Sequence, residues 1–109
     1  MLLSSTKRMF SSAAAGRLEG KVAVITGGAS GIGRAAALLF SKNGAKVVCA
    51  DKSPEVAETA AMVQAQGGQA VSIEVDVSNE ANVKAMCALA ESEFGRLDVL
   101  FNNAGVMLK

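Results

Sequence analysis

A glycine-rich turn at residues 27–33 is the stretch of this chain whose residue types best suit ligand chemistry. Residues 22–25 are apolar without alternation, which is typical of a strand buried on both faces of a parallel sheet. Glycine then occupies positions 27, 28, 31 and 33, where the lack of a Cβ atom lets the backbone turn tightly and a bulky ligand approach closely. A helical pattern follows, so its free N–H groups and positive dipole end should face the turn. This arrangement suits a pyrophosphate.

An aspartate lies where it could meet the next part of a nucleotide. Asp51 ends a second apolar run, 24 positions after Gly27. That register is close to the one at which an acid binds the adenosine ribose hydroxyls in dinucleotide-binding folds. A carboxylate there also repels a 2′-phosphate, which favours NAD over NADP, although the adjacent Lys52 could soften the preference. The alternative interpretation is that Asp51 is a solvated loop acid.

The spacing of the turn points to one family. Thr26-Gly-x-x-x-Gly-Ile-Gly33 differs from the G-x-G-x-x-G dinucleotide fingerprint and resembles the cofactor turn of the short-chain dehydrogenase/reductase family. The segment at residues 102–105, Asn-Asn-Ala-Gly, resembles the one that follows the family's fourth strand. The resemblance covers residues 19–109, about the first half of the family's domain. It implies an NAD(P)-dependent oxidoreductase that transfers hydride between the nicotinamide and a small alcohol or carbonyl substrate.

The resemblance also implies roles for individual residues. An acid at Asp76 meets the adenine amino group and the N–H of the next residue meets a ring nitrogen, although Asp76 could equally be an acid that merely precedes a helix cap. Many NADP-preferring relatives carry a basic residue where this chain has Ser30, so NAD is the expected cofactor and NADP the less favoured one. The expected cofactor-binding residues are Gly27, Ser30, Gly31, Ile32, Gly33, Asp51, Asp76, Val77, Asn102, Asn103, Ala104 and Gly105.

Strand and helix patterns alternate from Glu19 onward. Strands are expected near residues 22–25, 46–51, 70–75 and 98–101, with a helix after each of the first three. Ser53 and Ser78 are expected to cap the second and third helices. Strand–helix alternation with short connections predicts an α/β fold, a Rossmann-type doubly wound parallel sheet that ends after its fourth strand. The predicted inward faces of the three helices are Ile32, Ala35, Ala36, Leu39 and Phe40; Val56, Ala60 and Val63; and Val83, Met86, Cys87, Ala90 and Phe94.

Composition excludes several classes of function. The chain has 109 residues, enough for one small domain, and a formal net charge of +1, so nothing in its charge favours binding to nucleic acid or to a membrane. The two cysteines, Cys49 and Cys87, do not form a disulfide framework or a metal-binding spacing. Because both lie in apolar patterns, we interpret them as buried structural thiols.

Residues 1–18 differ in composition from residues 19–109. They contain three basic side chains, five serine or threonine residues and no acid, and wound as a helix they would gather Leu2, Leu3, Met9 and Phe10 on one face. An amphipathic, basic, hydroxyl-rich segment is typical of a mitochondrial transit peptide. The prediction is therefore a mitochondrial matrix protein. The alternative is a disordered leader on a cytoplasmic protein.

The catalytic residues of the resembled family cannot be placed on this chain. That family uses a tyrosine with a lysine four residues later, and this sequence contains no tyrosine. The fourth strand should also form an exposed apolar edge. Two hypotheses remain: the cofactor-binding half of a longer oxidoreductase, expected to be a homo-oligomer when complete, or a truncated, non-catalytic module that binds a nucleotide or a partner.

Overall fold

A computed structural model describes residues 16–103 of the chain. Strands and helices alternate along this part as the sequence pattern predicts. Each helix therefore connects two strands of one sheet. The elements are β1 (Val22–Thr26), α1 (Gly31–Lys42), β2 (Lys46–Asp51), α2 (Val56–Ala65), β3 (Ala70–Glu74), α3 (Glu80–Phe94) and β4 (Val99–Phe101).

The four strands form one parallel sheet in the order β3-β2-β1-β4. Val24 of β1 lies opposite Val48 of β2 on one side and opposite Leu100 of β4 on the other. The chain builds outward from β1 to β3 and then returns to the far side of β1, so the strand order reverses between β1 and β4. This is the predicted Rossmann-type, doubly wound arrangement, in which ligands bind beyond the carboxyl ends of the strands at the reversal point.

Helices cover both faces of the sheet, which explains the unbroken apolar runs of the central strands. Every residue of β1 is buried, and α1 and α2 pack on one face around Ile25, Val47 and Cys49. On the other face α3 packs its Met86 and Ala90 against Val24 and Val48. Burial of Cys49 raises the pKa of its thiol to about 12, so it stays protonated at neutral pH, as a structural thiol should. Cys87 is only partly buried.

The predicted inward face of α1 is correct for Ala36 and Phe40, which pack against the core, but it is rotated by about one residue from the observed face. Ile32 and Leu39 are 70% and 58% exposed, whereas Gly33 and Ala37 are buried. The helix is apolar on two adjacent stripes. The residues of α1 that are buried, Gly33 and Ala37, have small side chains because the helix lies close to the end of β1. The predicted faces of α2 and α3 are confirmed, with Val56, Ala60, Val63, Met86 and Ala90 all buried.

Both predicted serine caps are also wrong. The side-chain oxygen of Asn79, not that of Ser78, caps α3 by accepting a hydrogen bond from the N–H of Asn82 at 3.2 Å. Ser78 instead donates both its N–H and its hydroxyl to Asp76. Ser53 accepts from the N–H of Glu55 at 3.1 Å, so it orders the turn before α2, which begins at Val56.

β4 is an edge strand in the part of the chain that the structure describes, as predicted. It pairs with β1, and Leu100 is half exposed. Within residues 16–103, none of the helices has the length and apolar character needed to cross a membrane.

Asp98 attaches the start of β4 to the start of β1. One oxygen of its carboxylate accepts a hydrogen bond from the N–H of Val22 at 2.8 Å, and the other accepts from the guanidinium of Arg96 at 2.8 Å. The backbone N–H of Asp98 in turn donates to the carbonyl of Val22 at 2.9 Å. The bonds from Arg96 first, and then the one from Val22, lower the pKa of the Asp98 carboxyl.

This attachment predicts a specific pH dependence of stability. A lowered pKa means that the stabilisation by Asp98 is complete above the ordinary value of 3.8 and is lost as pH falls through the lowered value. We expect Asp98→Asn to be less stable than the unaltered chain at pH 5–7, with the difference shrinking below roughly pH 4. Urea unfolding followed by circular dichroism measures it. Glu93→Gln, which removes an exposed acid from α3, is the control; a pH-independent difference for Asp98→Asn would contradict the assignment.

Candidate functional site

The turn between β1 and α1 is held against the end of β2. The N–H of Gly28 donates to the carbonyl of Ala50 at 3.0 Å, and the N–H of Ala29 donates to the carboxylate of Asp51 at 2.9 Å. Gly27 has φ of +67°, a left-handed conformation that glycine adopts without steric cost. The turn therefore owes its shape to glycine geometry and to bonds from the neighbouring strand.

Gly31 and Gly33 are required for different reasons. Gly31 has φ of +62°, and a Cβ atom there would meet nothing within 4 Å, so its side of the turn is open to a ligand. A Cβ at Gly33 would overlap the carbonyl oxygen of Gly27 and lie 2.6 Å from its carbon. Gly33 is thus a packing requirement that brings the first turn of α1 onto the end of β1.

The N-terminus of α1 faces this open space without a capping side chain. Ser30 occupies the N-cap position in extended conformation and makes no side-chain cap hydrogen bond, and the first turn contains no acid. Both Ser30 and Ile32 are exposed at the mouth of the turn. Because the N-terminal N–H groups and the dipole of a helix favour negative charge, this end of α1 suits an anionic group.

Asp51 is not a freely solvated loop acid. Its Oδ2 accepts from the N–H of Ala29, and its Oδ1 accepts from the N–H of Ser53 at 3.1 Å. The carboxylate is therefore held at the carboxyl end of β2, next to the glycine turn. Each carboxylate oxygen can accept more than one hydrogen bond, so lone pairs remain for ligand hydroxyls.

A cavity of about 430 Å³ lies beyond the ends of β1, β2 and β3. It brings Gly27 together with both predicted aspartates, although these positions lie far apart in sequence, whereas residues 30–33 of the turn do not line it. Its mix of apolar wall, backbone and carboxylates suits a nucleoside. The lining residues are Gly27, Asp51, Lys52, Val75, Asp76, Val77 and Ser78.

Asp76 orders the loop that leads from β3 into α3, and its role toward adenine stays a prediction. Its carboxylate accepts from the hydroxyl and the N–H of Ser78, at 2.7 and 2.9 Å, and its carbonyl accepts from the N–H of Asn79 just before α3. The hydroxyl of Ser78, then its N–H, and finally the charge of Lys52 lower the pKa of Asp76. The residue thus orders the β3–α3 loop and presents an ionised carboxylate at the cavity.

The end of β4 is tied to the end of β1 through Thr26. The buried hydroxyl of Thr26 accepts from the N–H of Asn103 at 2.8 Å and donates to the side-chain oxygen of Asn102 at 3.0 Å. Thr26 begins the glycine motif but is not among the predicted cofactor-binding residues. The remaining predicted residues of the loop, Ala104 and Gly105, lie outside the described residues.

Two threonines are the residues that sequence reasoning missed. Thr26 is a hydroxyl residue at the end of an otherwise apolar strand, and this position could have indicated a polar contact from the sequence alone. Thr59 lies on the buried face of α2 between Val56 and Val63 and donates to the carbonyl of Gly28 at 2.6 Å. A threonine on an apolar helix face carries no sequence signal that distinguishes this contact from ordinary packing.

The two glycines of the turn should respond differently to substitution by alanine. Gly33→Ala should cost about 3 kcal/mol of unfolding free energy or more, because overlap with backbone cannot be relieved by a rotamer change and outweighs the roughly 1 kcal/mol that alanine gains in a helix. Gly31→Ala should cost about 1–2 kcal/mol, from its positive φ alone.

Denaturant titration of the purified chains measures both effects. Gly95→Ala is the matched control for Gly31→Ala, since Gly95 has φ of +85° with open space around it and lies at the far end of α3. Equal losses at Gly31 and Gly33 would show that α1 can move away from β1.

Comparisons with known proteins agree with this geometry. A family model described as short chain dehydrogenase matches residues 21–109. Tropinone reductase-like 1 from Erythroxylum coca is 50% identical over 91 residues, which are 84% of this chain and 33% of that protein. Momilactone A synthase from Oryza sativa subsp. japonica is 54% identical over 96 residues, 87% of this chain and 34% of that protein.

The fold is similar to that of a solved enzyme. The crystal structure of hydroxysteroid dehydrogenase from Escherichia coli matches with a TM-score of 0.79 and 38% identity, over 83% of this chain and 39% of that one. The chain spans about a third of the length of the curated relatives it matches. Since the family model covers residues 21–109, this protein belongs to the short chain dehydrogenase family.

Proposed function

We propose that this chain is the dinucleotide-binding part of an oxidoreductase that uses NAD. Members of the family bind a nicotinamide dinucleotide, NAD or NADP. The observation that carries the proposal is the position of the Asp51 carboxylate, fixed by the N–H of Ala29 beside the glycine turn and on the wall of the 430 Å³ cavity. One group there can meet ribose hydroxyls while the turn meets the pyrophosphate.

Different residues of the site would bind different parts of the dinucleotide. The first turn of α1 and the open side of Gly31 would hold the pyrophosphate. Asp51 would accept hydrogen bonds from the adenosine ribose, while Asp76 and the N–H of Val77 would meet the adenine. The Asn102–Asn103 backbone would hold the cofactor near the point where the sheet reverses. NAD, when bound, supplies a nicotinamide ring that accepts or donates a hydride.

The charge of the proposed site favours NAD over NADP. In NADP a dianionic phosphate replaces the 2′-hydroxyl, and a carboxylate at Asp51 repels it. Ser30 contributes no positive charge to offset this repulsion. Lys52 lines the same cavity and would reduce the discrimination, so a preference rather than an exclusion is expected.

The complete enzyme would act on a small alcohol or carbonyl compound and assemble as a homo-oligomer. The catalytic tyrosine and lysine would belong to a part of the parent protein beyond these 109 residues, which contain no tyrosine. A non-catalytic module that binds a nucleotide or a partner is the second candidate. The edge position of β4 in the described part of the chain favours it, because an edge strand can pair with another chain. The intact mass of the endogenous protein separates them, since a mass well above that of 109 residues supports the enzyme.

Binding of ADP-ribose to the 109-residue chain tests the proposed function. We expect saturable binding by isothermal titration, and weaker binding of 2′-phospho-ADP-ribose. Asp51→Asn should reduce the ratio of these two affinities by roughly tenfold or more. The substitution removes both the charged acceptor for the ribose hydroxyls and the repulsion of the 2′-phosphate. Glu55→Gln, which neutralises an exposed acid in the following turn, should leave the ratio of the two affinities unchanged. No binding by the unaltered chain would refute the function, and an unchanged preference would refute the role of Asp51.

We propose that residues 1–18 direct the protein to the mitochondrial matrix. The support is compositional: Lys7, Arg8 and Arg17 without an acid, in a hydroxyl-rich segment. A fluorescent reporter carrying residues 1–18 should therefore accumulate in mitochondria. Replacing Lys7, Arg8 and Arg17 by glutamine in the same fusion should abolish import. A diffuse cytosolic signal from the unaltered fusion would favour a disordered leader on a cytoplasmic protein.

A further inference from the structure

The hydroxyl of Thr59 makes an unusual connection. Thr59 lies within α2 and is fully buried, and a threonine there ordinarily bonds a carbonyl of its own helix. Instead its Oγ1 lies 2.6 Å from the carbonyl oxygen of Gly28, 31 positions earlier in the chain. The side chain of Thr59 thus connects α2 to the backbone of the glycine-rich turn.

Arg34 fixes the direction of this hydrogen bond. Its Nε lies 2.8 Å from Oγ1 of Thr59, and a guanidinium can only donate. Thr59 must therefore accept from Arg34 and donate its single proton to Gly28. Arg34 also forms a 3.5 Å ion pair with Glu58, so its guanidinium is directed toward α2.

The carbonyl of Gly28 and the N–H of Ala29 belong to the same peptide group. Thr59 bonds the oxygen of this peptide at 2.6 Å, and Asp51 bonds its N–H at 2.9 Å. A peptide held at both ends cannot rotate about its flanking bonds without breaking two buried or partly buried hydrogen bonds. Glycine at position 28 offers little resistance to such rotation by itself.

We infer that Thr59 is a positioning residue that locks the Gly28–Ala29 peptide and thereby presets the turn for pyrophosphate. The inference rests on the proposed function, because it concerns the same turn. The locked peptide also joins the pyrophosphate turn to the ribose-binding acid, since its N–H orients Asp51. Preorganised donors bind without the cost of ordering them on contact.

Three variants of α2 separate positioning from general stability. Thr59→Val keeps the shape but loses the hydroxyl, and we expect its affinity for ADP-ribose to fall roughly tenfold. Thr59→Ser loses a methyl group but keeps the hydroxyl, and it should bind within about threefold of the unaltered chain. Val63→Ala removes buried apolar atoms from the same face without touching the hydrogen bonds, and it should also retain affinity.

For each folded variant, the affinity for ADP-ribose is measured together with the midpoint of its unfolding transition. The two quantities are then compared across the three variants. Affinity that follows the hydroxyl supports positioning. Affinity that follows stability, so that Val63→Ala and Thr59→Ser bind as weakly as Thr59→Val, would overturn it. If the unaltered chain fails to bind ADP-ribose, the proposed function fails instead.

A second measurement does not depend on a variant that folds or on a ligand. In the unaltered chain, the amide proton of Ala29 should exchange with solvent as slowly as that of Val63 inside α2, because both are held by the same packed unit. An Ala29 amide that exchanges as fast as those of exposed turns would show that the peptide is not locked, and would overturn the inference.

Discussion

The close approach of Gly33 to the carbonyl of Gly27 is the contact on which the rest of the site depends. It is possible only without a Cβ atom, and it brings the N-terminus of α1 directly onto the end of β1. The positive end of the helix dipole then faces the turn instead of solvent. The same approach explains why the stripe of α1 that faces the sheet carries its smallest side chains, Gly33 and Ala37.

The two aspartates that line the cavity have a structural role that is compatible with the proposed binding of a ligand. Asp51 accepts hydrogen bonds from the N–H groups of Ala29 and Ser53, and Asp76 accepts from Ser78. These bonds hold both carboxylates in the cavity and satisfy part of their hydrogen-bonding capacity. An asparagine at position 51 would place its amide N–H group against one of these two backbone N–H groups, and two donors cannot bond each other. The negative charge of Asp51 therefore stabilises the turn whether or not a ribose binds.

Much of the fold was predictable because it depends on periodic patterns, whereas the details depend on single contacts. Unbroken apolar strands and intervening helices predicted the parallel sheet, and the glycine spacing together with Asp51 and Asp76 predicted which loops would meet. The face of α1 was mispredicted because an alanine-rich helix offers two apolar stripes, and only close packing selects one. Thr59 was missed because its hydrogen bond to Gly28 spans 31 positions.

Under the proposed function, the topology explains why these residues would specify a cofactor but not a substrate. In the proposed assignment, every group that would meet adenosine or pyrophosphate comes from the ends of β1, β2 and β3, which lie side by side. Across the reversal point, β4 contributes the Asn102–Asn103 backbone, attached to β1 through Thr26. In that assignment, recognition of adenosine and pyrophosphate would therefore be local to one side of the sheet. Two relatives named for different compounds are accordingly 50% and 54% identical to this chain over the third of their length that aligns with it.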